Sequence, residues 1–217
     1  MPTKTLKPDH AARVRMMGPA LRGLGALLVT RTPDVRWLTG FTGSSGAVLL
    51  FGRGEALFLT DFRYKEQAAA EVGGADVQVV GRGLLAEALG ICKARRVKAL
   101  GFDPSMSYAE YETLKAGGLK PVPVYESVAK RRACKDASEL AAMALAVRRA
   151  ERAFRLVRPR IKSGVTERAV AMMLEAAIKA EGAERLPFGI IVASGPNSSR
   201  PHASPTGRKL APGDLLT

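Results

Sequence analysis

His202 sits between Pro201 and Ala203 in the stretch IIVASGPNSSRPHASPTGRKLAPGDLLT (190–217), and it is one of only two histidines in the chain. The prolines and glycines around it disfavour helix and sheet interior, so the segment reads as a loop. From a loop an imidazole can reach solvent or a substrate, and an ordinary pKa near about 6.5 suits it to proton transfer at neutral pH. A solvated histidine with no chemical role fits the same position, and the residues alone leave both readings open. His10, in the amphipathic N-terminal stretch, reads as surface or packing.

A second candidate is Arg63, in LTDFRY (59–64). Asp61 can cap the helix that follows. Alternatively, Arg63 points from the sheet edge toward a carboxylate on a substrate or a neighbouring subunit. Gly40, Gly43 and Gly46 in WLTGFTGSSGAVLL are spaced GxxGxxG, not GxGxxG, and no helix follows. A tight loop between elements fits this better than a phosphate cradle. Cys92 and Cys134 have no CxxC spacing and read as free thiols. The sequence contains no nucleophile–base pair, P-loop or complete metal-ligand cluster.

The 217 residues carry a formal net charge of +14, from 34 basic and 20 acidic residues. Basic runs such as RRVK (95–98) and KRRACK (130–135) lack zinc-finger spacing and interleaved aromatics, so they read as solvated faces and not as a specific nucleic-acid site. No apolar run approaches the roughly 18 residues that span a bilayer, and the first residues lack a signal-peptide core. The expectation is a cytoplasmic chain with no membrane partner.

These candidates need elements to hold them. Asp9–Leu24 has helical spacing, with Ala12, Met16, Leu21 and Leu24 on related faces. Residues 26–30, 47–51, 55–60, 76–80 and 97–102 read as strands, with GRG (52–54) as a hairpin turn. Residues 62–72, 84–94 and 107–117 read as helices. PVPVY (121–125) reads as an edge strand, because its prolines cannot donate to a ladder. The pattern predicts a mixed sheet with helices packed on it. It changes near residues 126–135, where a boundary is expected. Beyond it, one helix runs from Asp136 to about Pro159 with an apolar stripe from Leu140 to Val157, and a second starts near Thr166. Residues 189–194 and 213–217 read as short strands.

Taken together, the motifs resemble metallopeptidase family M24, of the Xaa-Pro aminopeptidase, prolidase and creatinase type. The resemblance rests on WLTGFTGSSGAVLL and LFLTDFRYKEQA, on the two helices, and on IVASGPNSSRPHASPTGRKLAPGDLLT. It implies an α/β fold in which a creatinase/prolidase-like N-terminal domain (1–129) precedes the first part of an α+β pita-bread catalytic domain (130–217). It also implies that His202 hydrogen-bonds a substrate near the scissile bond. Complete relatives use two divalent metal ions (Mn, Co or Zn), held by two aspartates, a histidine and two glutamates. By resemblance all five lie after the GDLLT segment, so no metal is expected in this chain, and it is expected to be inactive alone. The implied substrates are short proline-containing peptides, and the implied assembly is a homodimer. A non-catalytic peptide-binding relative and a creatinase-type C–N hydrolase are the alternatives.

Overall fold

The computed structural model describes residues 6–125 and 127–217. Packing divides the chain between Asp136 and Ala137 into two units, described separately.

The first unit is a six-stranded mixed sheet covered on both faces. Its strands are β1 (Ala26–Val29), β2 (Ala47–Leu50), β3 (Ala56–Asp61), β4 (Asp76–Val80), β5 (Ala99–Phe102) and β6 (Lys120–Pro123), in spatial order β4-β3-β2-β1-β5-β6. The β1–β2 and β2–β3 pairs are antiparallel, and the other three are parallel. Side chains alternate across a strand, so Leu27 and Val29 enter one core while Ala26 and Leu28 enter the other. Both faces are covered, which explains why ALLV and AVLL are apolar at every position. One face carries α1 (His10–Arg15), α2 (Thr32–Thr39), α3 (Lys65–Glu71) and the later α6 (Ser127–Ala133). The other carries α4 (Leu84–Ala94) and α5 (Tyr108–Ala116).

β6 is an edge strand, as its prolines require. Lys120 and Val124 donate their amides to Lys98 and Phe102, toward β5. By alternation Pro121 and Pro123 occupy the outward positions, where no N–H exists to be satisfied. The opposite edge, β4, has ordinary residues, with Val77 and Val79 partly exposed.

One expectation fails in this unit. Asp9–Leu24 is not one helix: α1 ends at Arg15, and a 3₁₀ turn covers Gly18–Leu21. Pro19 has no amide to continue the ladder, and Gly18 before it is conformationally loose. The buried face is then Val14, Met17 and Leu21, while Met16 is exposed. Most of the region around the expected boundary forms α6, and the division between the units follows it, after Asp136. In α6, Val128 is buried in the first core, and Arg132 reaches the buried Asp34 at 2.8 Å. Just beyond α6, Asp136 accepts from Arg13, whose guanidinium also lies over Trp37.

The second unit contains α7 (Ala137–Val157) and α8 (Glu167–Ala180). Arg152 pairs with Glu181 at 2.6 Å and Arg149 donates to the Gly182 carbonyl, tying α7 to the end of α8. Val170, Val192 and Leu210 form a small core with Ile161 and Leu174. Along α7, Ala153 and Val157 are buried, while Leu140, Met143, Val147 and Phe154 remain half-exposed. The strands expected at 189–194 and 213–217 do not form. They meet in a single antiparallel bridge, Ser194 with Leu216, supported by reciprocal bonds between Ala193 and Thr217.

Candidate functional site

The loop that displays His202 begins at Ser194 and returns at Thr206. Gly195–Ser199 is a 3₁₀ turn, Arg200 donates its amide to Asn197, and Ala203 donates to Arg200. His202 is exposed and lines an open groove of about 520 Å³ with Phe188, Ile190, Ile191, Pro201 and Pro205. The groove is therefore largely apolar, with an imidazole at its rim.

Both ends of the loop are gathered by one side chain. Glu167, the first residue of α8, is fully buried. Its Oε1 accepts from the Ser194 amide (2.7 Å) and hydroxyl (2.8 Å), and its Oε2 accepts from the Thr206 amide (3.0 Å) and hydroxyl (2.5 Å). The Asn197 amide group donates to both oxygens. Burial alone would push this carboxyl up. The bonds from Thr206, Ser194 and Asn197 outweigh it and hold the pKa at about 2. In return, the amides of Glu167 and Arg168 donate to the carbonyls of Arg208 and Thr206, satisfying groups that a helix start leaves unpaired.

A second layer supports the first. The Ser194 hydroxyl accepts from Arg208, which grips Asp214 through both terminal nitrogens at 2.6 and 2.9 Å. Asp214 is thus committed to an ion pair and to the Ala211 amide. Gly195 has φ +51°, and a Cβ there would meet Arg208 and Asp214 at 2.6 Å, so this turn requires glycine.

In the first unit, Asp61 caps the turn after β3 by accepting from the Arg63 amide, as one of the two sequence readings has it. It also binds the Arg63 side chain through Nε (2.8 Å) and Nη2 (2.9 Å), and it accepts from the Ser45 hydroxyl at 2.7 Å. Arg63 and then Ser45 hold the Asp61 carboxyl well below the usual carboxylate range. Tyr64 shares a hydrogen bond with Ser44. The Gly/Ser loop between α2 and β2 is therefore pinned from one side by Asp61 and Tyr64. On the other side it closes on aromatic rings: a Cβ at Gly43 would lie 2.4 Å from Phe41, and one at Gly46 would lie 2.7 Å from Phe58. The glycines serve close ring packing, and no phosphate cradle is built there. His10 packs on the same unit, with Nδ1 3.2 Å from the Trp37 carbonyl, and burial lowers its pKa.

His202 and Arg63 thus belong to different units. Sequence reading missed Glu167, Ser194, Asn197, Thr206 and Arg208. Four of them lie around His202 in the quoted stretch, but Glu167, the partner shared by Ser194, Asn197 and Thr206, lies 27 to 39 residues away from these three. Cys92 is buried, and burial raises its thiol pKa to about 11; Cys134 is exposed, and neither is in a disulfide. Among the described residues no group of three or more His, Cys, Asp and Glu side chains is arranged to hold a metal ion. These residues therefore do not fit a metal pair. Among the described residues no helix is long and apolar enough to cross a membrane.

Comparison with known proteins accounts for both units. Residues 20–134 match the Creatinase/Prolidase N-terminal domain, and residues 141–217 match Metallopeptidase family M24. An uncharacterized peptidase of Bacillus subtilis, YqhT, is 38% identical over 198 residues, which cover 90% of this chain and 56% of the relative. The Xaa-Pro dipeptidase from Bacillus anthracis superposes with a TM-score of 0.86 at 30% identity, over 96% of this chain and 59% of that one. The X-Pro aminopeptidase from Thermotoga maritima gives 0.82 at 27% identity, over 91% and 59%. The chain spans little more than half the length of each of these relatives. Two family matches in tandem and a fold shared with these peptidases lead to one conclusion: the chain belongs to metallopeptidase family M24, in the branch with a creatinase/prolidase N-terminal domain.

Proposed function

We propose that this chain forms the first part of an Xaa-Pro dipeptidase or aminopeptidase that cleaves the bond before proline in short peptides. The observation that carries the reading is His202: an exposed imidazole at the rim of an apolar groove, on a segment within the M24 match. In this reading an imidazole N–H donates to the carbonyl oxygen next to the scissile bond and follows it as negative charge develops. The groove's aliphatic and aromatic walls suit a proline-containing peptide, which is apolar apart from its backbone and ends. Arg63, fixed by Asp61, offers its remaining N–H groups to a carboxylate of the substrate or of a partner subunit. Divalent metal (Mn, Co or Zn) belongs to the complete enzyme and supplies an activated water and a polarised carbonyl when bound. In this reading the 217 residues on their own do not turn over peptides. We place the complete protein in the cytoplasm as a homodimer.

The test is proline release from alanyl-proline with added manganese. We expect none from the 217-residue chain. We expect turnover when the chain is joined to the remaining length that its relatives carry, and a drop of at least about 100-fold in His202→Ala, on the scale of a lost oxyanion donor. Full activity in that variant would remove His202 from the mechanism.

A further inference from the structure

We infer that Glu167 is a positioning residue for His202: its buried carboxylate ties together the two ends of the 194–206 loop and thereby fixes where the imidazole is displayed. The inference deepens the functional reading only in what the loop is positioned for. The positioning itself rests on geometry.

The geometry is specific in three respects. Ser194, Asn197 and Thr206 converge on one carboxylate, with the His202 segment between the last two. Among the described residues no other side chain bonds to both ends of this loop: the Arg208 guanidinium reaches Ser194, and only its backbone amide reaches Thr206. Lastly, Glu167 belongs to α8, whose Val170 and Leu174 are packed into the unit's small core, so the carboxylate is attached to a rigid element. A loop with fixed ends has far fewer conformations than one with free ends, so the closure at Glu167 restricts the imidazole at a distance. Its hydrogen bonds go to Ser194, Asn197 and Thr206 and not to His202 or the groove lining, so it acts through the loop. Since the loop residues donate five protein N–H and O–H groups to two anionic oxygens, an amide cannot replace the carboxylate. One of its two positions would present N–H groups to N–H and O–H donors.

The chain's two histidines make the test direct, since each lies in a different unit. The 217-residue chain is labelled with ¹³C-histidine, and the Cε1–H signals are followed in wild type, Glu167→Gln and Thr206→Val. Amide hydrogen exchange is measured on the same samples. We expect the His202 signal to move and broaden in Glu167→Gln and to move less in Thr206→Val, while the His10 signal stays in place. Exchange protection over 194–206 should fall by about tenfold or more relative to the interior of α8. Thr206→Val keeps the backbone donor and most of the packing, so it decides the matter if Glu167→Gln does not fold. An unmoved His202 signal with unchanged loop protection overturns the inference. A uniform loss of protection over α8 and the loop also overturns it, because Glu167 would then only stabilise the unit. Alanyl-proline is added last, to wild type. Failure to shift His202 counts against the functional reading and leaves the positioning result standing.

Discussion

Asp61 and Glu167 do similar things in different surroundings. Each is a carboxylate at the start of a helical turn, and each gathers donors from a Gly/Ser-containing segment elsewhere in the chain. Asp61 is partly buried at the end of β3, and its principal partner is Arg63, two residues away and itself mostly exposed. Glu167 is buried, its donors are uncharged, and they come from 27 to 39 residues away. Water competes for the bonds between Asp61 and the exposed Arg63 side chain, whereas each buried donor around Glu167 would be left unpaired without it. The loop near Asp61 has other support, because Gly43 and Gly46 lie against the rings of Phe41 and Phe58. The same motif is therefore an accessory in the first unit and a structural necessity in the second.

The sharpest way to break this contrast is to exchange the supports. Phe58→Ala removes a fully buried ring and should cost about 3–5 kcal/mol in the first unit. The only tryptophan, Trp37, lies in that unit, so its fluorescence during urea unfolding reads this loss. In the second unit Glu167→Ala should cost about 3 kcal/mol, by stranding buried donors and opening a cavity. That loss should appear in the far-UV dichroism of α7 and α8 while the Trp37 transition stays put. If the tryptophan transition moved equally, the two units would be one cooperative body.

Smaller effects sharpen the comparison further. Gly46→Ala should destabilise the first unit by about 1–3 kcal/mol, since the new methyl meets Phe58 at 2.7 Å. A neutral result would show that the ring can move aside. Acid should act on the second unit through Glu167. Its folded pKa, about 2, lies below the ordinary 4.5, so its contribution is complete above pH 4.5 and is lost as pH falls from there toward 2. Measured by dichroism, wild type should lose second-unit stability over that window, and Glu167→Gln should lose less. The smallest effect belongs to Asp61→Asn: no measurable shift of the urea midpoint, with faster amide exchange confined to the neighbourhood of Ser45 and Arg63. A large midpoint shift would make Asp61 the equal of Glu167.

How far the sequence could be read follows from the range of the interactions. The period of the apolar residues placed α4 at 84–94, matching the structure, and Ser107 with Glu110 forms a complete capping box at the start of α5. These are contacts within one turn, visible in consecutive letters. The prolines of β6 announced an edge for the same reason. The first helix was over-extended because its spacing continued through Gly18–Pro19, where backbone chemistry overrides pattern. The segments at 189–194 and 213–217 have strand composition but only one bridge to share. The charge of α6 concealed its buried contacts: KRRACK reads as a solvated face, yet Arg132 finds the buried Asp34 ninety-eight residues away. At the site, His202 stood out as a rare residue in an unusual loop. Glu167 did not, since an acidic residue in the first turn of a helix is ordinary and its partners become visible only in three dimensions.

The two margins of the first unit's sheet are unequal, and this limits how copies of the chain could join by strand addition. A filament needs two compatible margins, so that each new copy leaves a fresh site for the next. Here Pro121 and Pro123 strip the outer side of β6 of its donors, while β4 keeps a full set. Strand addition is confined to β4 against β4, and that union uses up the open margin of both participants. Two prolines therefore act as a terminator of growth: any assembly through this sheet stops at a pair.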